Sequence, residues 1–331
     1  MNKKVLFVGH DLKFICDFVT YLSHYQPIGW PQVISYRGHA LPENCVNSSL
    51  VDICDVIFCE WSLGNAVHFS RVKPFGKRLV VRLHAQELRV LKSRYLDKIL
   101  WQNVDALIVI SPAIKNRVIQ LYPELYGKVF FVPNYVPSRK IGSGKYSSSP
   151  QFQIGMLGIV PALKRVDLAF ELLKHLKSVD SRYSLSLKGG APNDYTWMQN
   201  RPGQVNWYNK TFERYQNLVK DGSIIFEEES DDVATWYESI GVILSMSDIE
   251  GSHQSVAEGV ASGCVPVIRN WDGASQLYGN PVFETVDEMS EYVLSFKSEC
   301  AYHSLSSNIR NNLSGVYEFE KVCKQLIELI F

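Results

Sequence analysis

The sequence has no apolar run that reaches the roughly 18 residues typical of a membrane-spanning helix. Its N-terminus, MNKKVLFVGHDL, is basic and then apolar, but the apolar part is too short for a secretory signal segment. Seven cysteines occur without a CxxC pair or a set of nearby histidines, which argues against a zinc site. The odd number of cysteines and the lack of a signal segment predict reduced thiols and a cytoplasmic protein.

The glycine patterns of nucleotide cofactor sites are also missing. After the first predicted strand the sequence is GHDLKF, with one glycine where the dinucleotide fingerprint GxGxxG has three. No P-loop pattern is present, and no ladder of aromatic residues for stacking nucleic acid bases is evident. We therefore expect no nicotinamide or other cofactor and no nucleic acid partner.

Charge is balanced over the whole chain but is divided unevenly along it. Residues 1–138 hold 16 Lys and Arg against 10 Asp and Glu, whereas residues 139–331 hold 18 against 24. Nine of the basic residues lie between positions 71 and 98, where there are only two acids. Such a stretch is usually a solvated face. The alternative hypothesis is a patch that meets anionic lipid at the inner face of the cell membrane, or an anionic glycan.

Short β-branched runs alternate with helical patterns, as in a parallel sheet that is covered on both faces. The predicted strands of the first half are KVLFVGH, VDICDVIFC, RLVVRLH, ALIVIS and KVFFVPN. We predict an α/β protein with two Rossmann-like domains that face each other across a ligand-binding cleft. The predicted parts are an N-terminal domain (1–138), a linker rich in Ser, Gly, Pro and Lys (139–152), a second domain (153–315) and a C-terminal helix (316–331) that packs back towards the first domain.

The stretch DIEGSHQSVAEGVASGCVPVI (248–268) places two carboxylates among small residues. We predict that Glu250 lies in a loop after a strand, and that a helix from Ser255 to Ser262 has Glu258 in its first turn. The backbone N–H groups of a helix N-terminus favour an anion, and Gly251 allows close backbone approach. This chemistry suits the departure of a diphosphate.

Several segments in order resemble family 4 of the retaining glycosyltransferases, which have the GT-B fold. The resemblance rests on IGMLGIVPALKR (154–165), LKGGAP (187–192), the two glutamates followed by ASGCVPV (261–267), VRLH (81–84) and VPNY (132–135). It covers nearly the whole chain. It implies transfer of a sugar from a nucleotide sugar, UDP-sugar before GDP-sugar, to a glycan or lipid-linked saccharide, with retention of configuration and without a metal ion.

The resemblance also implies residue roles. Catalytic residues would be Glu250 near the transferred sugar, Lys164 against the leaving diphosphate and His84 near the sugar. The donor side would comprise Glu258 on the ribose hydroxyls, with Arg165, Gly158, Gly189, Gly190, Gly251, Ser252, His253 and Ser255. The acceptor side would comprise Gly9, His10, Glu60 and Asn65.

One position departs from the pattern of this family. Ile159 stands where a second basic residue is expected, five positions before Lys164, and Arg165 is the candidate to compensate. This departure leaves two other hypotheses open: a protein that binds nucleotide sugars without transferring them, and a GT-B epimerase acting on UDP-sugars. An epimerase would need acid and base groups that face the sugar ring.

Overall fold

The structure, a computed structural model, describes residues 3–24 and 31–331, which divide into two compact units. Unit 1 contains the described residues up to Tyr135 together with Phe319–Phe331, and unit 2 contains Val136–Glu318. Each unit holds one six-stranded sheet in which all paired strands are parallel. The predicted α/β class with two Rossmann-like domains is confirmed.

The sheet of unit 1 has the order β2-β1-β3-β4-β5-β6. Its strands are β1 (Val5–Gly9), β2 (Gln32–Ser35), β3 (Val56–Glu60), β4 (Arg78–Leu83), β5 (Ala106–Val109) and β6 (Val129–Phe131). Its helices are α1 (Cys16–Ser23), α2 (Ser48–Ile53), α3 (Gly64–Val72), α4 (Ala85–Arg89), α5 (Pro112–Leu121) and the C-terminal helix, α14 (Phe319–Ile330). Strands β1, β3 and β5 are buried along their whole length, which explains their continuous apolar runs.

The C-terminal helix α14 belongs to the core of unit 1. Its apolar positions Val322, Leu326 and Ile330 repeat at helical spacing and are fully buried. They share one core cluster with Phe7 of β1 and Phe58 of β3. The C-terminal helix therefore packs against the sheet of unit 1 and belongs to the core of that unit.

The sheet of unit 2 has the order β12-β11-β10-β7-β8-β9. Its strands are β7 (Gln153–Leu157), β8 (Ser184–Lys188), β9 (Ile224–Glu227), β10 (Val242–Ser245), β11 (Val265–Arg269) and β12 (Val282–Phe283). Its helices are α6 (Val166–Val179), α7 (Pro202–Arg214), α8 (Gln216–Lys220), α9 (Val233–Ser239), α10 (Gln254–Ala261), α11 (Ala274–Tyr278), α12 (Val286–Ser295) and α13 (Glu299–Leu313). The amphipathic face of α6 supplies Phe170, Leu173 and Leu176 to the main core of this unit.

Two local predictions were wrong, and a strand was not predicted. The run VDICDVIFC is not one strand, because its first residues belong to α2, which Asn47 caps by accepting a hydrogen bond from the backbone of Leu50. The helix after Glu250 begins at Gln254, so Glu258 is its fifth residue and lies beyond the first turn. The sequence interpretation also missed strand β2.

Candidate functional site

Neighbouring strands β7 and β10 form the point in unit 2 where the strand order reverses. Strands β8 and β9 follow on one side of β7, and β11 and β12 follow on the other side of β10. In open parallel sheets, ligands bind outside the carboxyl ends of the strands at such a point. The loops that follow β7 and β10 meet there, since the backbone N–H of Asp248 donates to the carbonyl of Leu163 at 2.8 Å.

An ion pair between Lys164 and Glu250 lies at this switch point. The Lys164 ammonium is 2.5 Å from Glu250 Oε1, and the Ser247 hydroxyl donates to the same oxygen at 2.7 Å. Burial alone would raise the pKa of Glu250, but contacts with His253, Lys164 and Ser247 outweigh it and lower the pKa to about 2. Glu250 is therefore ionised at neutral pH, and its charge holds a lysine that keeps 20% of its side-chain surface exposed.

His253 is held in place by a short chain of hydrogen bonds. Trp271 Nε1–H donates to the hydroxyl oxygen of Ser245 at 3.2 Å, and that hydroxyl lies 2.6 Å from His253 Nδ1. The hydroxyl of Ser245 can accept from Trp271 and either donate to His253 or accept from it, so these contacts fix the position of the ring and not its tautomer. Nε2 lies 3.8 Å from Glu250 Oε1. Burial lowers the pKa of His253 to about 4, so the ring is neutral at pH 7.

The N-terminus of α10 follows directly. His253 is its N-cap residue and makes no side-chain capping bond, so the first N–H groups of the helix remain without the capping acceptor usual at this position. The Ser255 hydroxyl is buried and has no hydrogen-bond partner among the described residues. Gly251 is buried and Ser252 is half-buried in the same loop. This end of the helix combines backbone N–H groups that the His253 side chain does not cap with a buried hydroxyl, and such groups suit an anion.

Glu258, one turn further along α10, is 1% exposed. Its Oε1 is 3.2 Å from the Lys140 ammonium, and its Oε2 is 3.2 Å from the hydroxyl of Tyr237 on α9. Burial raises the pKa of this carboxyl despite the opposing effects of Lys140 and Tyr237. Glu258 is thus a buried acid whose ionisation depends on two neighbours.

Glycines end both β7 and β8 where the loops turn away from the sheet. Gly158 and Gly189 have positive φ angles of 78° and 123°, which L side chains rarely adopt. A Cβ on Gly189 would lie 3.6 Å from Gly158 Cα. A Cβ on Gly190 would lie 2.7 Å from the Tyr195 hydroxyl. The turns after β7 and β8 therefore favour glycine for their backbone conformation, and Gly190 allows the close approach of Tyr195.

Arg165 is already committed to two carboxylates of unit 2. Its guanidinium contacts Asp167 through two nitrogens at 3.0 and 2.9 Å, and Asp248 at 3.1 Å. Arg269 also contacts Asp248. Ile159, which stands where the resemblance predicts a basic residue, is 2% exposed and packs in the core. Lys164 thus carries the positive charge nearest to Glu250.

Unit 1 has a second buried cluster of charges, at the carboxyl ends of β3 and β4. Glu60 Oε1 lies 3.1 Å from an Arg82 nitrogen and 2.9 Å from His84 Nε2. Arg82 also donates to the side-chain oxygen of Asn134. Burial lowers the pKa of His84, and its ring stacks against Trp61 at a centroid distance of 4.0 Å. These groups pair with one another inside the unit, although Arg82 Nε has no hydrogen-bond partner among the described residues.

The predicted acceptor-side residues occupy the same edge of the unit 1 sheet. Gly9 ends β1, and a Cβ there would lie 2.6 Å from Leu12. His10 follows, half-buried, with a ring nitrogen that has no partner among the described residues. Asn65 is fully buried and donates to the carbonyls of Val8 and Glu60 at 2.7 and 3.0 Å. Asn65 therefore ties β1 to β3 through its side chain.

Sequence reasoning missed four residues that shape the site in unit 2: Ser247, Trp271, Tyr237 and Lys140. Ser247 had a usable signal, because it is the last residue of the strand-like run GVILSMS (241–247) and stands three positions before Glu250. The other three come from separate elements, and their contacts arise only when the chain folds. The structure brings Lys164, Glu250 and His253 together; Glu60 and His84 form the separate cluster in unit 1.

Comparison with protein-family models and with curated proteins finds no match. Solved structures do match over nearly the full length. Anabaena HepE in complex with UDP has a TM-score of 0.71 at 15% identity, with 98% of both chains covered. A glycosyltransferase from Rickettsia africae gives 0.69 at 13% identity, covering 99% of this chain and 98% of that one. Sucrose-phosphate synthase from Thermosynechococcus elongatus gives 0.69 at 12% identity, with the same coverage.

TarM, a longer protein, gives a TM-score of 0.66 at 13% identity. The match covers 83% of this chain but only 54% of TarM, so this chain spans about half of that protein. At such identities the likeness establishes the fold alone. Together with the two parallel sheets, it shows that this chain has the fold of the GT-B glycosyltransferases.

Proposed function

We propose that the protein is a retaining glycosyltransferase that moves a sugar from a UDP-sugar to a hydroxyl of a glycan or lipid-linked saccharide. The single observation that carries the proposal is the Lys164–Glu250 pair at the β7–β10 switch point, beside the N-terminus of α10, which the His253 side chain does not cap. The structures of HepE with UDP and with UDP-glucose support this choice of donor, because HepE has the same fold.

The donor diphosphate is proposed to bind at the N-terminus of α10. Backbone N–H groups and the Ser255 hydroxyl would donate to its oxygens, with Gly251, Ser252 and His253 in the same loop. Lys164 would transfer from Glu250 to the phosphate, since a phosphate carries more charge and Lys164 is partly exposed. Glu258 would accept hydrogen bonds from the ribose hydroxyls. The turns at Gly158, Gly189 and Gly190 would admit the rest of the nucleotide.

Release of the diphosphate is the step that the site would accelerate. The bond between the sugar's anomeric carbon and the phosphate oxygen breaks, and the electron pair stays on the diphosphate, where Lys164 and the α10 N–H groups stabilise it. Glu250, freed of Lys164, would contact the transferred sugar. The acceptor hydroxyl attacks the face from which the diphosphate leaves, and the leaving phosphate takes its proton. No metal ion is required in this scheme.

Unit 1 is proposed to bind the acceptor, through the edge formed by Gly9 and His10. Glu60, Asn65 and His84 are buried, and their proposed contribution is to hold the loops at that edge. His84 would act on the acceptor side through Trp61, which stacks on it in a left-handed backbone conformation with φ of 67°. Strained residues of this kind are concentrated at functional sites.

We also propose that the basic stretch 71–98 meets anionic lipid, so that the protein works at the membrane surface. Within the described residues, none of the helices combines the length and apolar character that a membrane span requires. The side chain of Phe75 is fully exposed, and Phe75 lies in the sequence between Lys73 and Lys77. Vesicles of phosphatidylserine and phosphatidylcholine should float the protein at low salt, and Phe75→Ser should weaken flotation. Equal flotation of the variant, or none for either protein, contradicts the proposal.

A thermal-shift screen against UDP, GDP, ADP and their sugars tests the donor proposal. UDP at about 100 times its dissociation constant should raise the free energy of unfolding by about 2.7 kcal/mol. Lys164→Ala should reduce transfer from the active UDP-sugar by about a hundredfold or more, while the protein stays folded. Binding without turnover in the wild type would favour a nucleotide-sugar-binding protein, and sugar rearrangement without an acceptor would favour an epimerase.

A further inference from the structure

Residues 138–146, which we call the strap, pack on helices α9 and α10 of unit 2. The backbone N–H of Gly142 donates to the Ser262 hydroxyl at 2.9 Å, at the end of α10. The N–H and hydroxyl of Ser143 both donate to Glu238 Oε1, at 2.5 and 2.6 Å. The Lys145 ammonium donates to the carbonyl of Tyr237 at 2.7 Å. These contacts anchor the strap to the end of α10, the helix that carries Glu258, and to α9, the helix that carries Tyr237.

Lys140 reaches Glu258 from the strap while its side chain stays 36% exposed. Its ammonium contacts Oε1 at 3.2 Å, and the Tyr237 hydroxyl contacts Oε2 at the same distance. An ionised carboxylate offers about four lone-pair positions. Lys140, Tyr237 and Gln254 occupy three of these positions, which leaves about one for a further donor, and Lys140 need not leave when a ligand hydroxyl arrives.

The remaining surroundings of Glu258 supply little compensation for a buried charge. Gln254 on the same helix also hydrogen-bonds this carboxyl. Below α10, strands β10 and β11 present mainly Val, Ile and Leu, and Ile243 packs against Gly259. The other ionisable groups near it are the Cys264 thiol and the Lys145 ammonium, 3.2 Å from each other, and Tyr302, whose hydroxyl donates to backbone. Lys140 is the cation in direct contact with Glu258 among the described residues.

We propose that Lys140 is a positioning residue for the nucleotide: it keeps Glu258 ionised and oriented, so that this carboxylate can accept the ribose hydroxyls of the donor. This inference rests on the proposed function of Glu258. It goes further by assigning a donor-binding role to the strap, near the start of unit 2, which no sequence motif indicates. The electrostatics agree, because burial raises the pKa of Glu258 and Lys140 opposes that rise.

The test measures UDP binding to the full-length wild type, Lys140→Met and Lys140→Arg by calorimetry, at about pH 6 and about pH 8. Removing the ammonium should raise the pKa of Glu258, and each unit of rise weakens binding about tenfold at a pH below that pKa. We expect Lys140→Met to bind UDP about tenfold more weakly than wild type at the lower pH, with the ratio shrinking at the higher pH. Titration of the UDP phosphate cancels in this ratio. Lys140→Arg should restore binding.

Lys145→Met is the matched control, because it removes an ammonium from the same strap that contacts Tyr237 and Cys264 rather than Glu258. It should leave the pH dependence of UDP binding as in wild type. Inorganic pyrophosphate, which has no ribose, should bind wild type and Lys140→Met equally. Thermal melts without ligand check that the variants are folded.

The outcomes separate this inference from the proposed function. If wild type does not bind UDP, the proposed function fails. If wild type binds and Lys140→Met binds with an unchanged or tighter constant at both pH values, Lys140 does not position Glu258 and this inference fails. Equal weakening by Lys140→Met and Lys145→Met, or a matching loss of pyrophosphate binding, would mean that the strap acts only as a structural support and would also overturn it.

Discussion

Units 1 and 2 both place a glutamate beside a histidine and a cation at the carboxyl edge of a parallel sheet, but the two clusters differ in access. In unit 1, Glu60 and Arg82 are almost completely buried, with side-chain exposures of 0% and 1%. In unit 2, Glu250 and Lys164 keep 14% and 20% exposed. The first cluster therefore holds its own strands together, whereas the second can exchange its internal partners for a ligand.

The difference follows from where each glutamate is located. Glu60 is the last residue of strand β3, so its side chain is fixed by the sheet register beside Arg82 of the neighbouring strand. Glu250 lies in a loop five residues beyond the end of β10, and its partner Lys164 lies in the loop after β7. A pair formed by two loops can open without breaking the sheet. The strand orders also differ, with the reversal between β1 and β3 in unit 1 and between β7 and β10 in unit 2.

Removing the cation from each cluster should show the difference between the two clusters most clearly. Arg82→Met leaves Glu60 as a buried charge without its cation, and we expect the free energy of unfolding to fall by about 3–5 kcal/mol. Lys164→Met should cost only about 1 kcal/mol, because Glu250 retains Ser247 and access to solvent. Urea denaturation of the two variants beside wild type measures both changes.

The companion variant Arg78→Met checks that the loss is specific to the buried cluster. Arg78 lies on the same strand, is half-buried and donates to the carbonyl of Leu329 at 3.2 Å, so its removal should have a smaller effect than that of Arg82. Equal destabilisation by Arg82→Met and Lys164→Met would show that the two clusters are energetically alike and would contradict the interpretation given above.

A smaller effect should appear in the pH dependence of stability. Burial lowers the pKa of His253 from 6.5 to about 4, so between these values the unfolded chain binds more protons than the folded chain. Stability should therefore fall as the pH drops through this range, by about 3 kcal/mol from this residue. His253→Asn should remove that part of the slope in urea denaturation between about pH 6.5 and about pH 4. A variant with the wild-type slope would show that His253 titrates normally in the folded protein.

Much of the fold was predictable because each unit repeats a strong local pattern. Runs such as ALIVI form strands that are buried on both faces, and such strands need apolar residues at every position. The helical spacing of Val322, Leu326 and Ile330 marks the buried face of α14. The prediction failed where local signals competed. Residues 51–53 have the apolar pattern of a strand but are helical, because Asn47 caps a helix that begins at Ser48.

The candidate site was predictable only in part. Glu250 and Glu258 could be selected because their spacing among small residues is visible along the chain, and Lys164 through the resemblance of residues 154–165 to the family 4 glycosyltransferases. Their partners could not, because Lys140 lies 118 residues from Glu258, and Tyr237 reaches the same carboxylate from another helix. Arg165 is a similar case: its place beside Lys164 is visible in the sequence, but its ion pairs with Asp167 and Asp248 are seen only in the structure.

The sequence by itself determined the class of the protein: two parallel α/β sheets, glycines at the turns after strands of the second half, and acids and a lysine placed after strands. These features depend on residues close together in the chain, where periodicity and turn chemistry act. Only the tertiary structure decided which charges are neutralised internally and which remain open to a ligand. That decision depends on burial and on partners from distant segments, because the free energy of a charge is set by the water it loses and the groups it meets.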